Sequence, residues 1–336
     1  MTGSPAIAER DWEAAVGAIA ASGTTVISCH LNPDGDALGS ALALHLGLAA
    51  SGREALVSFP EPFVVPPQYR FLAGLDRLVP PGRVPAAADL FVCFDAGSLD
   101  RLGTLVGAFR GAARTIVVDH HASNTRFGEV NLIDPDAPAS AVLCRELLRR
   151  LDLPLDREIA TCLYTGLVTD TGRFQYQATT PATHLLAAEL LDAGVEQYEV
   201  AKAVFETNDI GYLRLIGDSL ARIAQVPEAS LVWTSVTLAD LAAHGAEMDQ
   251  TEGLIDLVRT DAQSDVAAVV KEQPDGTNKV SLRSKGATDV GAVATGFGGG
   301  GHQFAAGYTS GHDAGGTIAA LVEALVRARS GGRGRR

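Results

Sequence analysis

The sequence predicts an α/β protein: a doubly wound parallel sheet first, then a smaller α+β domain. Three observations predict it. Short continuous apolar runs at residues 24–29, 89–94 and 115–118 alternate with helix-like segments, as strands buried on both faces do. Beyond Pro227 the rhythm changes to strands at 230–236, 266–271 and 279–283, with helices near 251–260, 290–295 and 316–327. With 336 residues, 46% hydrophobic and 20% charged, the chain is too apolar for disorder and long enough for two cores.

Each element has its own signal. The β-branched run 24–29 leads through a polar turn into a helix from Gly39, and 54–59 is the next strand. The proline-rich stretch 60–67 is a loop. Helices follow at 139–151, 156–168 and 181–191, the last with Pro181 in its first turn. A long helical stretch, 198–224, reads as a connector. The expected organisation is therefore a first domain at 1–195, a helical connector at 196–227 about which the domains open and close, a second domain at 228–329, and a disordered basic tail at 330–336.

Charge and cysteine content narrow the function. Lys and Arg number 27 against 40 Asp and Glu, a net −13, which disfavours long nucleic acid as a partner. Cys29, Cys93, Cys144 and Cys162 are scattered without a CxxC pair and read as buried small hydrophobes, not as a disulfide framework or zinc ribbon. The first twelve residues lack the pattern of a secretory leader, and the most apolar helical stretch, 41–50, is short of the roughly 20 residues a membrane span needs. The expectation is a cytoplasmic protein, monomer or homodimer, with no membrane partner.

Three apolar strands end in metal-ligand residue types. One runs into His30-Leu31-Asn32-Pro33-Asp34-Gly35-Asp36, one ends at Asp95, and one at Asp119-His120-His121. In an open parallel sheet, ligands bind outside the carboxyl ends of the strands, so these residues share one rim. Taken singly each has a plainer explanation: Asp34 and Asp36 as turn or N-cap residues, Asp95 as a helix cap, Asp170 as a surface residue after a helix stopped by Gly172. Together they form an inventory of His30, Asp34, Asp36, Asp95, His120 and Asp170, with His121 in reserve. Imidazoles and carboxylates without thiolate suit two octahedral divalent ions sharing one carboxylate, Mn²⁺ ahead of Mg²⁺ or Co²⁺.

In order, His30-x-x-Pro33-Asp34-Gly35-Asp36-Ala37-x-Gly39-Ser40, Asp95, Asp119-His120-His121 and Thr169-Asp170-Thr171-Gly172 resemble the four motifs of the DHH phosphoesterase superfamily. The run Gly298-Gly299-Gly300-Gly301-His302-x-x-Ala305-Ala306-Gly307 resembles the glycine-rich motif of its DHHA1 domain. The resemblance implies a DHH domain and a DHHA1 domain with the active site in the cleft between them. It further implies that His30, Asp34 and Asp95 hold one metal, and that Asp36, Asp95, His120 and Asp170 hold the second. His121 then faces the substrate phosphate as a catalytic residue beside the bridging Asp95, and Asp119 orients a ligand imidazole. Arg283, Gly299, Gly300, Gly301 and His302 are the expected grip on a far phosphate.

Within the superfamily, the domain content is similar to the NrnA-like oligoribonucleases and the compact cyclic di-AMP (pApA) phosphodiesterases. The implied reaction is hydrolysis of cyclic di-AMP, pApA or very short RNA to 5′-mononucleotides by a water activated between two metals. Two alternatives stand beside it: a 3′-phosphatase acting on 3′-phosphoadenosine 5′-phosphate (PAP), and a non-catalytic nucleotide receptor.

Overall fold

The computed structural model describes residues 7–332, with side chains described to 329. The chain divides between Thr207 and Asn208 into two compact units.

The first unit runs α1 (Glu9–Ala21), β1 (Thr25–Cys29), α2 (Gly35–Ala50), β2 (Ala55–Ser58), β3 (Leu90–Phe94), α3 (Val106–Gly111), β4 (Arg114–Asp119), β5 (Val130–Ile133), α4 (Ser140–Arg150), α5 (Arg157–Asp170), α6 (Pro181–Asp192) and α7 (Gln197–Phe205). Its five strands are all parallel, in the order β2-β1-β3-β4-β5. Every residue of β1 and β3 is buried, which is why those runs are continuously apolar. Ile27, Val92, Phe94, Ile116 and Val118 pack beneath α2, α4 and α5. The alternate residues Val26, Phe91, Cys93 and Val117 pack on the other face against Leu102, Leu105 and Phe109. The winding reverses between β1 and β3, and a crevice opens there at the carboxyl ends.

Helices α2 and α5 lie backbone to backbone. A methyl at Gly39 would collide with the carbonyl oxygen of Cys162, and one at Gly166 would sit 2.7 Å from a carboxylate oxygen of Asp36. Only glycine permits this approach. It brings the first turn of α2 against the last turn of α5, and so brings Asp36 to Asp170.

The second unit runs α8 (Ile210–Ala221), β6 (Ala224–Val226), β7 (Leu231–Val236), α9 (Leu238–His244), α10 (Leu254–Val258), β8 (Val266–Glu272), β9 (Asn278–Ser284), α11 (Val290–Gly296), β10 (Gly300–His302), β11 (Ala305–Ser310) and α12 (Ala314–Gly332). Its sheet is mixed, in the order β10-β11-β9-β8-β7-β6, with only β7 and β8 parallel. One face packs on α11 and α12, the other on α8, α9 and α10.

Several details differ from the sequence expectation. Helix α2 starts at Gly35, four residues before Gly39, because Asp34 caps it by accepting from the N–H groups of Asp36 and Ala37. The stretch 198–224 is two helices, since Asp209 caps a new one by accepting from Tyr212 N–H at 2.7 Å. Strand β5 follows β4 through residues 120–129 with no helix between them. Helix α12 continues through 330–332 of the tail expected to be disordered; 333–336, and residues 1–6 of the segment read as lacking a leader, lie outside the described residues. Among the described residues no helix is long and apolar enough to cross a membrane, and all four cysteines are free and buried.

Gly39→Val should destabilise the protein by about 2–3 kcal/mol through overpacking against a rigid carbonyl. Thermal unfolding of the metal-free protein measures it; an unchanged melting temperature would show that the two helices do not need this contact.

Candidate metal centre

The rim of the first sheet gathers the predicted ligands. His30 directly follows β1, Asp95 directly follows β3, His120 and His121 directly follow β4, and Asp170 ends α5. Asp95 adopts φ +56, a left-handed conformation that an aspartate tolerates at a modest cost. Its backbone N–H still reaches Val118 O at 2.9 Å, so the strained residue is tied to the neighbouring strand.

Among the groups of ligand atoms gathered within 4.8 Å, two consist of the predicted ligands alone: His30 with Asp34 and Asp95, and Asp36 with His120 and Asp170. His30 Nε2 lies 3.6 Å from Asp34 Oδ2 and 3.4 Å from Asp95 Oδ2. His120 Nε2 lies 3.0 Å from Asp170 Oδ2 and 3.6 Å from Asp95 Oδ1. Asp95 thus turns one oxygen toward each histidine.

The donor set fits two hard or borderline cations. In both histidines Nδ1 is taken by a backbone carbonyl, Leu31 O at 2.7 Å for His30 and Ala137 O at 3.1 Å for His120. That contact orients each ring and turns Nε2 toward the carboxylates. Asp34, Asp36, Asp95 and Asp170 carry four negative charges when ionised, which two divalent ions would neutralise.

Neighbouring groups hold the ligands in place. The N-terminus of α4 aims at Asp36, whose carboxylate accepts from Ser140 N at 2.6 Å and Ala141 N at 2.8 Å. Ser140 Oγ donates to Asp95 Oδ1 at 3.0 Å. Asp34 both caps α2 and faces His30, so its capping and ligand readings coexist, whereas Asp36 lies inside the helix and is not its cap. Tyr69, buried in the turn Pro67–Tyr69 after the proline-rich loop, hydrogen-bonds the Gly35 backbone and lies in the field of Asp34 and Asp170.

One expectation is corrected. Asp119 orients the imidazole of His121 and not that of His120, the expected ligand: its Oδ1 accepts from His121 Nδ1 at 2.7 Å, and Asn124 Nδ2 donates to its Oδ2 at 2.6 Å. Ser140, Tyr69 and Asn124 carried no sequence signal. Ser140 reaches its partner Asp36 across 104 residues of chain.

The electrostatics record crowding of like charge. Burial, then the nearby Asp170 and Asp95 charges, push the Asp36 carboxyl well up. Burial likewise raises Asp170, to about 6, although the His120 hydrogen bond opposes it. Burial works against charged imidazoles, yet Asp34 and Asp95 outweigh it at His30 and raise it to about 10. Asp170, Asp95 and Asp36 do the same for His120. Without metal, the cluster holds protons where cations would lie.

In the second unit, Gly300 and Gly301 lead into His302 along β10, an edge strand. Glycine is required by close pairing: a methyl at Gly299 would collide with Gly307 O, and one at Gly301 would lie 2.6 Å from Ala305 O. His302 pairs with Ala305, which pairs with Arg283 on β9, so the three form one cross-strand row. Directly opposed residues share a face, and two strand spacings put the backbones of His302 and Arg283 roughly 10 Å apart. Arg283 is half-buried, its Nε 3.7 Å from Asp256 Oδ1 of α10.

Comparison with known proteins agrees with these motifs. Residues 24–167 match the DHH family, N-terminal domain, and residues 233–328 match the DHHA1 domain. The chain is 36% identical over 293 residues to the bifunctional oligoribonuclease and PAP phosphatase NrnA of Thermus thermophilus, covering 86% of this chain and 85% of that protein. It is 30% identical over 312 residues to a probable protein of the same name from Streptococcus mutans, covering 87% and 91%. An exopolyphosphatase-related protein from Bacteroides fragilis has the same fold, with a TM-score of 0.88, 24% identity and coverage of 97% and 98%.

Because His30 is protonated at neutral pH in the metal-free cluster, a cation must expel protons to bind. Calorimetric titration with Mn²⁺ at pH 7 should show an enthalpy that varies with the buffer's ionisation enthalpy, from release of at least one proton, and an affinity that falls toward acid pH. Buffer-independent heats would contradict this.

Proposed function

The chain belongs to the DHH family, and from that premise we propose that it is a metal-dependent phosphodiesterase cleaving cyclic di-AMP, pApA or very short oligoribonucleotides to 5′-mononucleotides. The observation that carries this reading is Asp95, one carboxylate oxygen turned toward each of two histidines that belong to separate ligand groups. His30, Asp34 and Asp95 would hold one ion, and Asp36, Asp95, His120 and Asp170 the other, with Mn²⁺ the proposed metal. Two such cations supply a nucleophile at neutral pH and neutralise charge at phosphorus.

The protein's own groups do the rest. His121 donates Nδ1–H to the buried Asp119, which fixes the ring and stabilises its charged form. Burial disfavours the imidazolium, but Asp119 and Asp95 more than compensate, and its pKa is raised. The raised pKa favours the imidazolium, whose Nε2–H can hold a phosphoryl oxygen or protonate the leaving oxygen. Arg283 and His302 are the proposed grip on a further phosphate, with Gly299, Gly300 and Gly301 leaving the edge strand bare for its approach. The substrate is a small nucleotide and not long nucleic acid, as the net charge of −13 favours. Four free cysteines fit a reducing setting, the cytoplasm.

The phosphatase reading has support in the relatives' names, which couple oligoribonuclease with PAP phosphatase. Side-by-side kcat/KM with Mn²⁺ on cyclic di-AMP, pApA, short RNA and PAP separates the two. The diesters should lead PAP; the reverse ranking would make this a phosphatase, and no turnover on any would make it a receptor. His121→Asn should lower kcat by about 100-fold or more. Asp119→Asn removes a charge that raises the His121 pKa, so the basic limb of the pH–rate profile should move to lower pH; an unmoved limb would remove His121 from the acid role.

A further inference from the structure

Arg101 lies in the short 3₁₀ segment Leu99–Leu105 that follows β3. Its carbonyl accepts from Leu31 N at 2.9 Å, which pins this segment to the turn after β1. Arg101 is thereby fixed at the point where the winding of the sheet reverses, the crevice in which open α/β sheets take their ligands. Its side chain is half-buried, and its Nη2 lies 3.1 Å from Nδ1 of His30.

That contact does not satisfy the guanidinium. Leu31 O, at 2.7 Å, already takes the Nδ1 proton. A nitrogen that bears a proton offers no lone pair to a second donor. Among the described residues no carboxylate forms a salt bridge with Arg101, although Asp34 and Asp95 stand on the far side of the same imidazole. A half-buried cation with no protein carboxylate on its fork can take an anionic ligand, and the planar fork of five N–H groups matches a phosphate in particular.

Resting on the phosphodiesterase reading above, we propose that Arg101 is a substrate-binding residue of the first unit that takes a phosphate or phosphodiester oxygen beside the His30 ligand group. This adds a cationic anchor next to the carboxylates, distinct from Arg283 and His302. A phosphodiester is anionic, and four aspartates would repel it; Arg101 offsets that repulsion on the side of the cluster where His30 stands.

Two other roles are separable from this one. An arginine that merely orients His30 would act on metal affinity, and a solvated one would act on nothing. The test uses the full Mn²⁺-loaded chain with pApA as probe. In Arg101→Gln, KM should rise about tenfold with kcat within about threefold, the loss expected for one charge-assisted contact. Arg101→Lys should recover part of that KM, because the charge returns without the fork. Mn²⁺ affinity, read by calorimetry without substrate, should be the same in all three proteins. Weakened Mn²⁺ binding that accounts for the loss of turnover, or an unchanged KM in Arg101→Gln, would overturn the assignment. Absence of pApA turnover in the wild-type protein would instead count against the phosphodiesterase reading itself. In that case direct titration of inorganic phosphate into the Mn²⁺-loaded chain still decides Arg101: weaker binding in Arg101→Gln supports the assignment, and equal binding overturns it.

Discussion

Mutual repulsion among crowded carboxylates, Asp36 and Asp95 buried and Asp34 and Asp170 partly exposed, is the constraint on which the rest of this structure depends. Asp34, Asp36, Asp95 and Asp170 are drawn together at the end of a sheet whose strands are otherwise apolar. No arrangement of that kind is favourable by itself; burial alone raises the cost of each negative charge. The architecture holds it by three means. Glycines at 39 and 166 force α2 against α5. The N-terminus of α4 stabilises Asp36 with two backbone N–H groups. A left-handed turn delivers Asp95 between β1 and β4. Two divalent cations held there would offset the repulsion.

The same logic assigns the two adjacent histidines different work. His120 is locked to Ala137 O through Nδ1 and presents Nε2 to the acids. His121, one residue later, is locked to Asp119 and stays partly exposed, with 29% of its side chain accessible. The ring on a backbone carbonyl is suited to offer a lone pair to a metal, whereas the ring on a carboxylate is favoured in its charged form. Asn124 completes the division by engaging the other Asp119 oxygen.

Much of this was legible in the sequence because the ligands lie immediately after strands, and a buried parallel strand announces itself as a short apolar run. The strand ends placed His30, Asp34, Asp36, Asp95 and His120 at one rim, the helix stop at Gly172 added Asp170, and the motif resemblance supplied their division between two ions. What stayed hidden depends on contacts distant in the chain. Ser140 and Tyr69 touch the centre only because helices and turns far apart converge there. The partner of Asp119 was misjudged because either neighbouring imidazole could have reached it, and the backbone at 119–121 decides which one does. Strands β10 and β11 escaped notice since glycine has low strand propensity, and pairing, not local preference, makes them strands.

The central claim is a pair of cations joined by one shared carboxylate. Low-temperature electron paramagnetic resonance of the Mn²⁺-loaded chain tests it most directly, because ions about 3.5–4 Å apart are magnetically coupled. The expected result is two ions per chain with the multiline signature of a coupled pair, lost when Asp95 becomes Asn. A six-line spectrum of isolated Mn²⁺ at full loading, or a single ion per chain, would contradict it.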